Sequence, residues 1–404
     1  MAKQTLPPHY GSGVSGDYFW PRPDIVEPLA ASLADGQSHK MFGLRRIGKS
    51  SVMLEIKRLL EERKVVVAHV DVQDLNGLHA LLRDLLRNLP DQKFRTKLLG
   101  GLEETRRMSQ SVVTTIKNMI GTTPTLIAVD EERDLLAYWG SVSEHFAEAL
   151  KNYGQPVVLL IDEFPFLCEN LLLREGGREM LVKLLAALRQ WRSLPNVGML
   201  ITGSIGMRGM VYRHGLNSAH LNDMMMVQVR PMAEPDARAM LGALVSHAKL
   251  DWWTEPVTDA IVRNVSALYP SFIQYAFNSV KSRRAISVEE VHVIFTQEIV
   301  PGLSQDFFHQ FRSRLKRYDS AQRPALEHAV HIVAQAEAAG GLAIDPFYDA
   351  LEQAFPDQDG EDLLEILVED GFLLSDMAGN VIRVASPLVT IWAASRPRRR
   401  RRTG

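Results

Sequence analysis

The sequence predicts an α/β protein with a parallel sheet flanked by helices, followed by a helical segment and a C-terminal winged helix. Three stretches carry that expectation. MFGLRRIGKSSVML, Met41 to Leu54, reads as strand, glycine loop and helix; PVVLLIDEF, Pro156 to Phe164, is an apolar run ending in two acids; NVGMLITGS, Asn196 to Ser204, is a third run ending in polar residues. Apolar runs of this length without alternation fit strands covered on both faces, as in parallel sheets. At 404 residues the chain exceeds one ordinary core, so two or three domains are expected.

Composition narrows the class. A hydrophobic fraction of 46% and a charged fraction of 23% are those of a globular protein and exclude long-range disorder. Cys168 is the only cysteine, which excludes an internal disulfide and a cysteine-rich metal site and fits a reducing cytoplasm. The N-terminus has no apolar core that could serve as a signal peptide, and no later run approaches the length of a membrane span. The expectation is a soluble, intracellular protein with no membrane partner. Net charge is −2, but six arginines, Arg396 and Arg398 to Arg402, leave the rest of the chain mildly acidic.

In chain order, residues 1–16 are rich in Gly, Ser and Pro and read as a flexible N-terminus. Pro23 or Asp24 can then open a helix with Ile25, Val26, Leu29 and Leu33 on one side. Gly43 to Ser50 spells G-x-x-x-x-G-K-S, and the helix after it buries Val52, Met53, Ile56, Leu59 and Leu60. Glycines let the backbone bring its N–H groups against a triphosphate, and the helix start adds unpaired N–H groups and a positive dipole end. Lys49 would reach the β- and γ-phosphates of ATP, and Ser50 would place its hydroxyl on Mg2+. The expected binding loop is therefore Gly43, Arg45, Arg46, Ile47, Gly48, Lys49, Ser50 and Ser51. Arg45 and Arg46 read equally as phosphate ligands and as solvated charges.

Val65 to Val72 is the next strand by its β-branched run, residues 76–120 read as helical, and residues 121–134 as a loop or short peripheral element. Asp162 and Glu163 close the strand of Pro156 to Phe164 at its C-terminal edge, where open α/β sheets place ligands. Asp162 would hold the magnesium through its water shell, and Glu163 would orient and deprotonate the attacking water. Leu181, Leu184, Leu185 and Leu188 mark a core helix that leads to the strand ending in Thr202, Gly203 and Ser204. MMMVQV, Met224 to Val229, reads as the following strand.

The order of these elements resembles the STAND-type archaeal ATPase family, AAA-like members of the ASCE P-loop division. GLRRIGKSS with its paired arginines, VVLLIDEF, LITGS, VRPMAEPDARAML and LYPSFIQYAF carry the resemblance, over about residues 17–395. The resemblance implies a helical lid over the nucleotide and a residue at the tip of the third strand that senses the γ-phosphate, Thr202 before Ser204. It implies an aromatic–proline–arginine entry beside the adenine, here Phe19 and Arg22, and a proline closing over the base, here Pro270. Phe19 and Trp20 read equally as a hydrophobic staple. The family's arginine finger from a neighbouring subunit implies nucleotide-dependent oligomers; Arg208, Arg213 and Arg230 all qualify.

The domain expectation is an ATPase core over residues 17–230, a lid over 231–300, a helical linker over 301–320, a winged helix over 321–393 and an arginine-rich tail over 394–404. Helices from about Pro324 to Glu337, Pro346 to Phe355 and Glu361 to Asp370 precede a hairpin that turns at Gly379 and Asn380. The third helix carries Glu361, Asp362, Glu365, Glu369 and Asp370 and no basic residue, the reverse of what a DNA phosphate backbone rewards. It reads as a surface for the ATPase core or for a protein partner. The tail instead suits nucleic acid or any acidic surface. The leading reading is a slow Mg-dependent ATPase switch that engages a protein partner. Its rivals are a DNA-associated ATPase and a nucleotide-binding scaffold that does not hydrolyse.

Overall fold

The computed structural model describes the whole chain except residues 1–3, 90–91, 105–109, 121–128, 217–219, 266, 377–378 and 396–404, so the arginine-rich run lies outside the described residues. Its centre is a five-stranded sheet of β1 (Ser38–Phe42), β2 (Val66–Asp71), β3 (Val157–Asp162), β4 (Val197–Gly203) and β5 (Met225–Met226), in the order β2-β3-β4-β1-β5. Every pairing is parallel. All residues of β3 and β4 are buried, which is why their sequences are apolar without alternation. The order sets the tips of β1, β4 and β3 side by side.

Helices cover both faces. α1 (Val26–Ala34) and α2 (Lys49–Glu62) lie on one side, joined there by the C-terminal half. On the other lie α3 (Leu78–Asn88), α4 (Gln92–Glu104), α5 (Gln110–Ile120), α6 (Val129–Ala137), α7 (Trp139–Lys151), α8 (Phe164–Leu172), α9 (Gly177–Arg192) and the short α10 (Arg208–Arg213). Two expectations are refined here. Residues 129–134, read as part of a loop or short peripheral element, belong to the nine-residue helix α6, the second of those alternatives. The strand expected over Met224 to Val229 is only β5, with one further bond from Val227 N to Lys40 O at 2.8 Å. It is an edge strand with one neighbour, and Met225 is exposed.

Beyond β5, α11 (Glu234–Ala248), α12 (Glu255–Val265), α13 (Pro270–Arg283) and α14 (Val288–Ile294) form a helical layer. A π turn, Phe295–Ile299, leads into α15 (Val300–Leu315). The last segment runs α16 (Gln322–Ala336), β6 (Leu342–Ala343), α17 (Ile344–Ala354), α18 (Gly360–Glu369), β7 (Leu373–Asp376), β8 (Val381–Val384) and α19 (Pro387–Ser395). Strands β6-β8-β7 make a small antiparallel sheet, so the three expected helices are followed by the expected hairpin, with the unforeseen β6 between the first two helices.

Residues 4–16 are the largest departure. Flexibility was expected, yet residues 4–16 are held along the core. Leu6 is fully buried and its N–H donates to Ala243 O on α11 at 3.0 Å. His9 N donates to the buried Gln274 side chain on α13 at 2.6 Å, Val14 N to Ser51 Oγ at 3.2 Å, and Gly16 N to Glu55 Oε2 at 2.8 Å. Each bond satisfies a backbone donor that the glycine- and proline-rich sequence would otherwise leave to water.

Candidate functional site

The loop between β1 and α2 turns on three left-handed residues: Gly43 at φ 150°, Arg46 at φ 66° and Gly48 at φ 103°. Glycine adopts such angles freely, and Arg46, which does not, marks stored strain at the loop's crest. Lys49 opens α2, is 5% exposed, and donates Nζ–H bonds to Gly43 O at 3.1 Å and Leu44 O at 2.7 Å. Burial lowers its pKa to about 8; Glu163 and Asp162 pull it back up, while Arg314 and Arg45 push it further down.

A second left-handed turn sits at the tip of β3. Glu163 has φ 56° and ψ 34°, so the chain leaves the strand sharply and α8 begins at once. Its N–H donates to Asp162 Oδ1 at 3.0 Å. Its own carboxylate is turned toward β4, where Oε2 accepts from Ser204 N and from Ser204 Oγ, both at 2.9 Å. Thr202 Oγ1 donates to Asp162 Oδ1 deep in the core, where Thr202 is fully buried. The two polar residues at the β4 tip are thus divided: Thr202 serves the first acid and Ser204 the second.

These groups border a cavity of about 760 Å3. Arg45, Arg46, Gly48, Lys49, Ser50, Ser51 and Glu163 line it together with Ser271 of α13, His309 and Gln310 of α15, and Tyr10 to Gly13 of the N-terminal segment. Ser271 Oγ also donates to Arg46 O. Ile47 is buried beneath the loop, and the Arg45 guanidinium lies 5.4 Å from the centre of the Phe166 ring. Two residues implied to flank a base do not line it. Arg22 is 5% exposed and donates to Asp24 and, at 2.9 Å, to Arg230 O, and Phe19 is buried in the core. Pro270 is the first residue of α13 and sits next to the cavity wall at Ser271 without lining it. Of the three candidate fingers, Arg208 is engaged by Asp362 and Glu365 of α18, Arg230 gives its carbonyl to Arg22, and the Arg213 side chain lies outside the described ones.

The acidic helix α18 abuts the same site. Glu369 accepts from Met207 N at 3.1 Å and Arg208 N at 2.9 Å and pairs with Lys40 of β1 at 3.0 Å. Asp370 accepts from Gly206 N at 2.9 Å and from Tyr318 Oη at 2.8 Å. Arg314 of α15, 2% exposed, donates to Asp370 O at 2.5 Å and to Ser204 O. Burial raises the Asp370 pKa and lowers that of Arg314 to about 10. Gly371 at φ 73° lies so close to the loop that a Cβ there would meet Leu44 N at 2.5 Å. Sequence reasoning saw Gly371 only as a helix stop, and it missed Arg314, Gln310 and the strap at Tyr10 because their partners are distant in the chain.

No family model matches the chain, and no curated protein does. Among solved structures it is similar to the Walker-type ATPase of Pyrococcus abyssi, at 18% identity over 95% of this chain and 98% of that one, with a TM-score of 0.53. It also aligns with the ORC2 protein of Aeropyrum pernix in its ADPNP and ADP complexes, at 13% identity over 92% and 91% of the two chains, with a TM-score of 0.40. Cdc6p of Pyrobaculum aerophilum aligns at 11% identity over 92% of both chains, with a TM-score of 0.35. Together with the sheet order and the loop geometry, the first of these likenesses establishes the fold as that of the Walker-type, P-loop ATPases.

Proposed function

We propose that this chain is a Mg-dependent ATP-binding and ATP-hydrolysing switch whose nucleotide state governs how its C-terminal segment engages a partner protein. The carrying observation is one of contact: the loop built to hold a triphosphate is touched at Gly43 and Leu44 by Gly371, at the end of α18. Any ligand that reshapes the loop acts on that contact directly.

In this reading Lys49 exchanges its bonds to Gly43 O and Leu44 O for phosphate oxygens, and the loop amides close around them. Ser50 and Asp162 are the residues that would hold magnesium. A hydroxyl and a carboxylate are hard oxygen donors, and among the described residues no cluster of three His, Cys, Asp or Glu side chains forms a full metal cage. That donor set suits an ion that keeps several waters and takes its other ligands from phosphates. When bound, magnesium neutralises charge developing on the phosphates. Glu163 is the base; Ser204 holds its Oε2, which fixes the carboxylate's orientation and leaves Oε1 as the oxygen that would take the proton from water.

Two substitutions test the reading through binding and turnover measured separately. Lys49→Ala is expected to abolish ATP binding, while Glu163→Gln is expected to bind ATP normally and lower turnover at least a hundredfold, the scale of one general base. Normal hydrolysis by Glu163→Gln would remove it from the role of base.

A further inference from the structure

The sheet ends at β5, and a second groove opens beside that edge. We propose that the outer edge of β5 and the groove it shares with α1 take an extended, acidic peptide segment of a partner protein, added to the sheet as a further strand. The groove, of about 600 Å3, is lined by Ile25, Leu29 and Ser32 in and next to α1 and by Met226, Gln228 and Arg230 in β5 and the chain after it. None of its lining residues lines the nucleotide cavity, so the inference stands apart from the nucleotide reading.

The backbone selects a strand. β5 pairs with β1 alone, with Lys40 opposite Met226. Val227 N donates to Lys40 O at 2.8 Å, so Met226, one residue earlier on an alternating strand, turns its N–H and C=O away from β1. Among the described residues those two groups make no backbone bond. An open edge bordered by a helix is a setting in which one extended chain adds to another: main-chain bonds supply affinity, and side chains in the groove supply selection. Met225, 51% exposed, continues the edge with an apolar side chain.

Charge selects the kind of segment. The charged side chains that line the groove are Asp24 and Arg230. Arg22 donates to both Asp24 carboxylate oxygens, at 3.3 and 3.2 Å, and holds that charge in a pair. Arg230 is exposed and gives Arg22 only its carbonyl, which leaves its guanidinium for an incoming carboxylate. His39 also lines the groove, at 6% exposure, and burial lowers its pKa, so at neutral pH it adds no charge. Its Nε2 is bonded to Ser32 Oγ at 2.8 Å, while its Nδ1 and Gln228 Oε1 have no hydrogen-bond partner among the described residues. The groove therefore combines unsatisfied polar atoms with an uncompensated positive charge, which a peptide bearing carboxylates complements and a basic one does not.

The test measures fluorescence anisotropy of a labelled, capped peptide of alternating valine and glutamate on the full chain, against the same peptide with lysine in place of glutamate and against one with every backbone nitrogen methylated. The expected result is that the wild type binds the glutamate peptide about tenfold or more tightly than either counterpart, and that Arg230→Glu, shown to be folded by circular dichroism, loses about tenfold of that affinity. No binding of the glutamate peptide up to about 1 mM, or equal binding of the lysine or the methylated peptide, would overturn the inference. So would a wild-type dimer in sedimentation that dissociates in a folded Met226→Pro variant, which lacks the outward N–H: the occupant of the edge would then be a second copy of this chain.

Discussion

Lys49 concentrates the electrostatics of the site. Burial brings its pKa from the ordinary value of 10.5 to about 8, so the free protein carries the ammonium below that pH and loses it above. A triphosphate favours the ammonium. ATP affinity is therefore expected to be full below about pH 7 and to fall about tenfold between about pH 7 and pH 9, whereas Lys49→Arg, which stays charged, keeps a flat profile. Titration of ATP binding at the two pH values checks this. The same shift has an opposite sign for folding: between about pH 8 and 10.5 the unfolded chain binds more protons at this group, so its contribution to stability rises with pH. The positions of Lys49 at the start of α2 and of Asp162 and Glu163 at the end of β3 were legible in the sequence because each sits in a local strand-to-helix signature. The left-handed turn at Glu163 and its bonds to Ser204 were not, since nothing adjacent to Asp-Glu specifies a φ of 56°.

At the scale of elements, α18 and the strap behave alike. Both are written in sequence terms that suggest something else, a winged-helix recognition helix in one case and a loose terminus in the other. Charge resolved the first: five acids and no base point α18 at donors other than DNA, and the structure gives Glu369 and Asp370 the N–H groups of Gly206, Met207 and Arg208. Composition misled for the second, because glycine and proline carry no periodicity and the anchors are single bonds to Gln274, Ser51 and Glu55. The close contact between the end of α18 and the site is Gly371 on the P-loop. Gly371→Val combines a left-handed φ with a Cβ placed 2.5 Å from Leu44 N, so it is expected to destabilise the chain by roughly 1–3 kcal/mol and to loosen α18. Thermal unfolding with and without ATP checks both effects, and an unchanged melting temperature would show that the contact is slack.

Across the whole molecule, the five-stranded sheet, its helical layers and the C-terminal segment were legible from three apolar runs and the late helix–hairpin pattern. The shortness of β5 and the helical form of residues 129–134 were not, because an edge strand lacks a second neighbour and a charged stretch such as VDEERD gives little periodicity. What unites the molecule is a buried relay: Glu163 on Ser204, Ser204 O on Arg314, Arg314 on Asp370, and Gly371 on the P-loop. The Arg314 guanidinium holds the backbone carbonyls of Ser204 and Asp370 together, so truncating it leaves both buried carbonyls without that donor and uncouples the β4 tip from the end of α18. Among the described residues no helix is long and apolar enough to cross a membrane, and none of these contacts needs one.

The central claim is that nucleotide state moves this relay. Amide hydrogen exchange over residues 360–373, measured on Glu163→Gln with ATP and magnesium, on the ADP-bound wild type and on the free protein, tests it most directly. The account predicts that protection of this segment differs between the ATP and ADP states by about tenfold or more. Identical protection in all three states, with ATP shown to be bound, would contradict it.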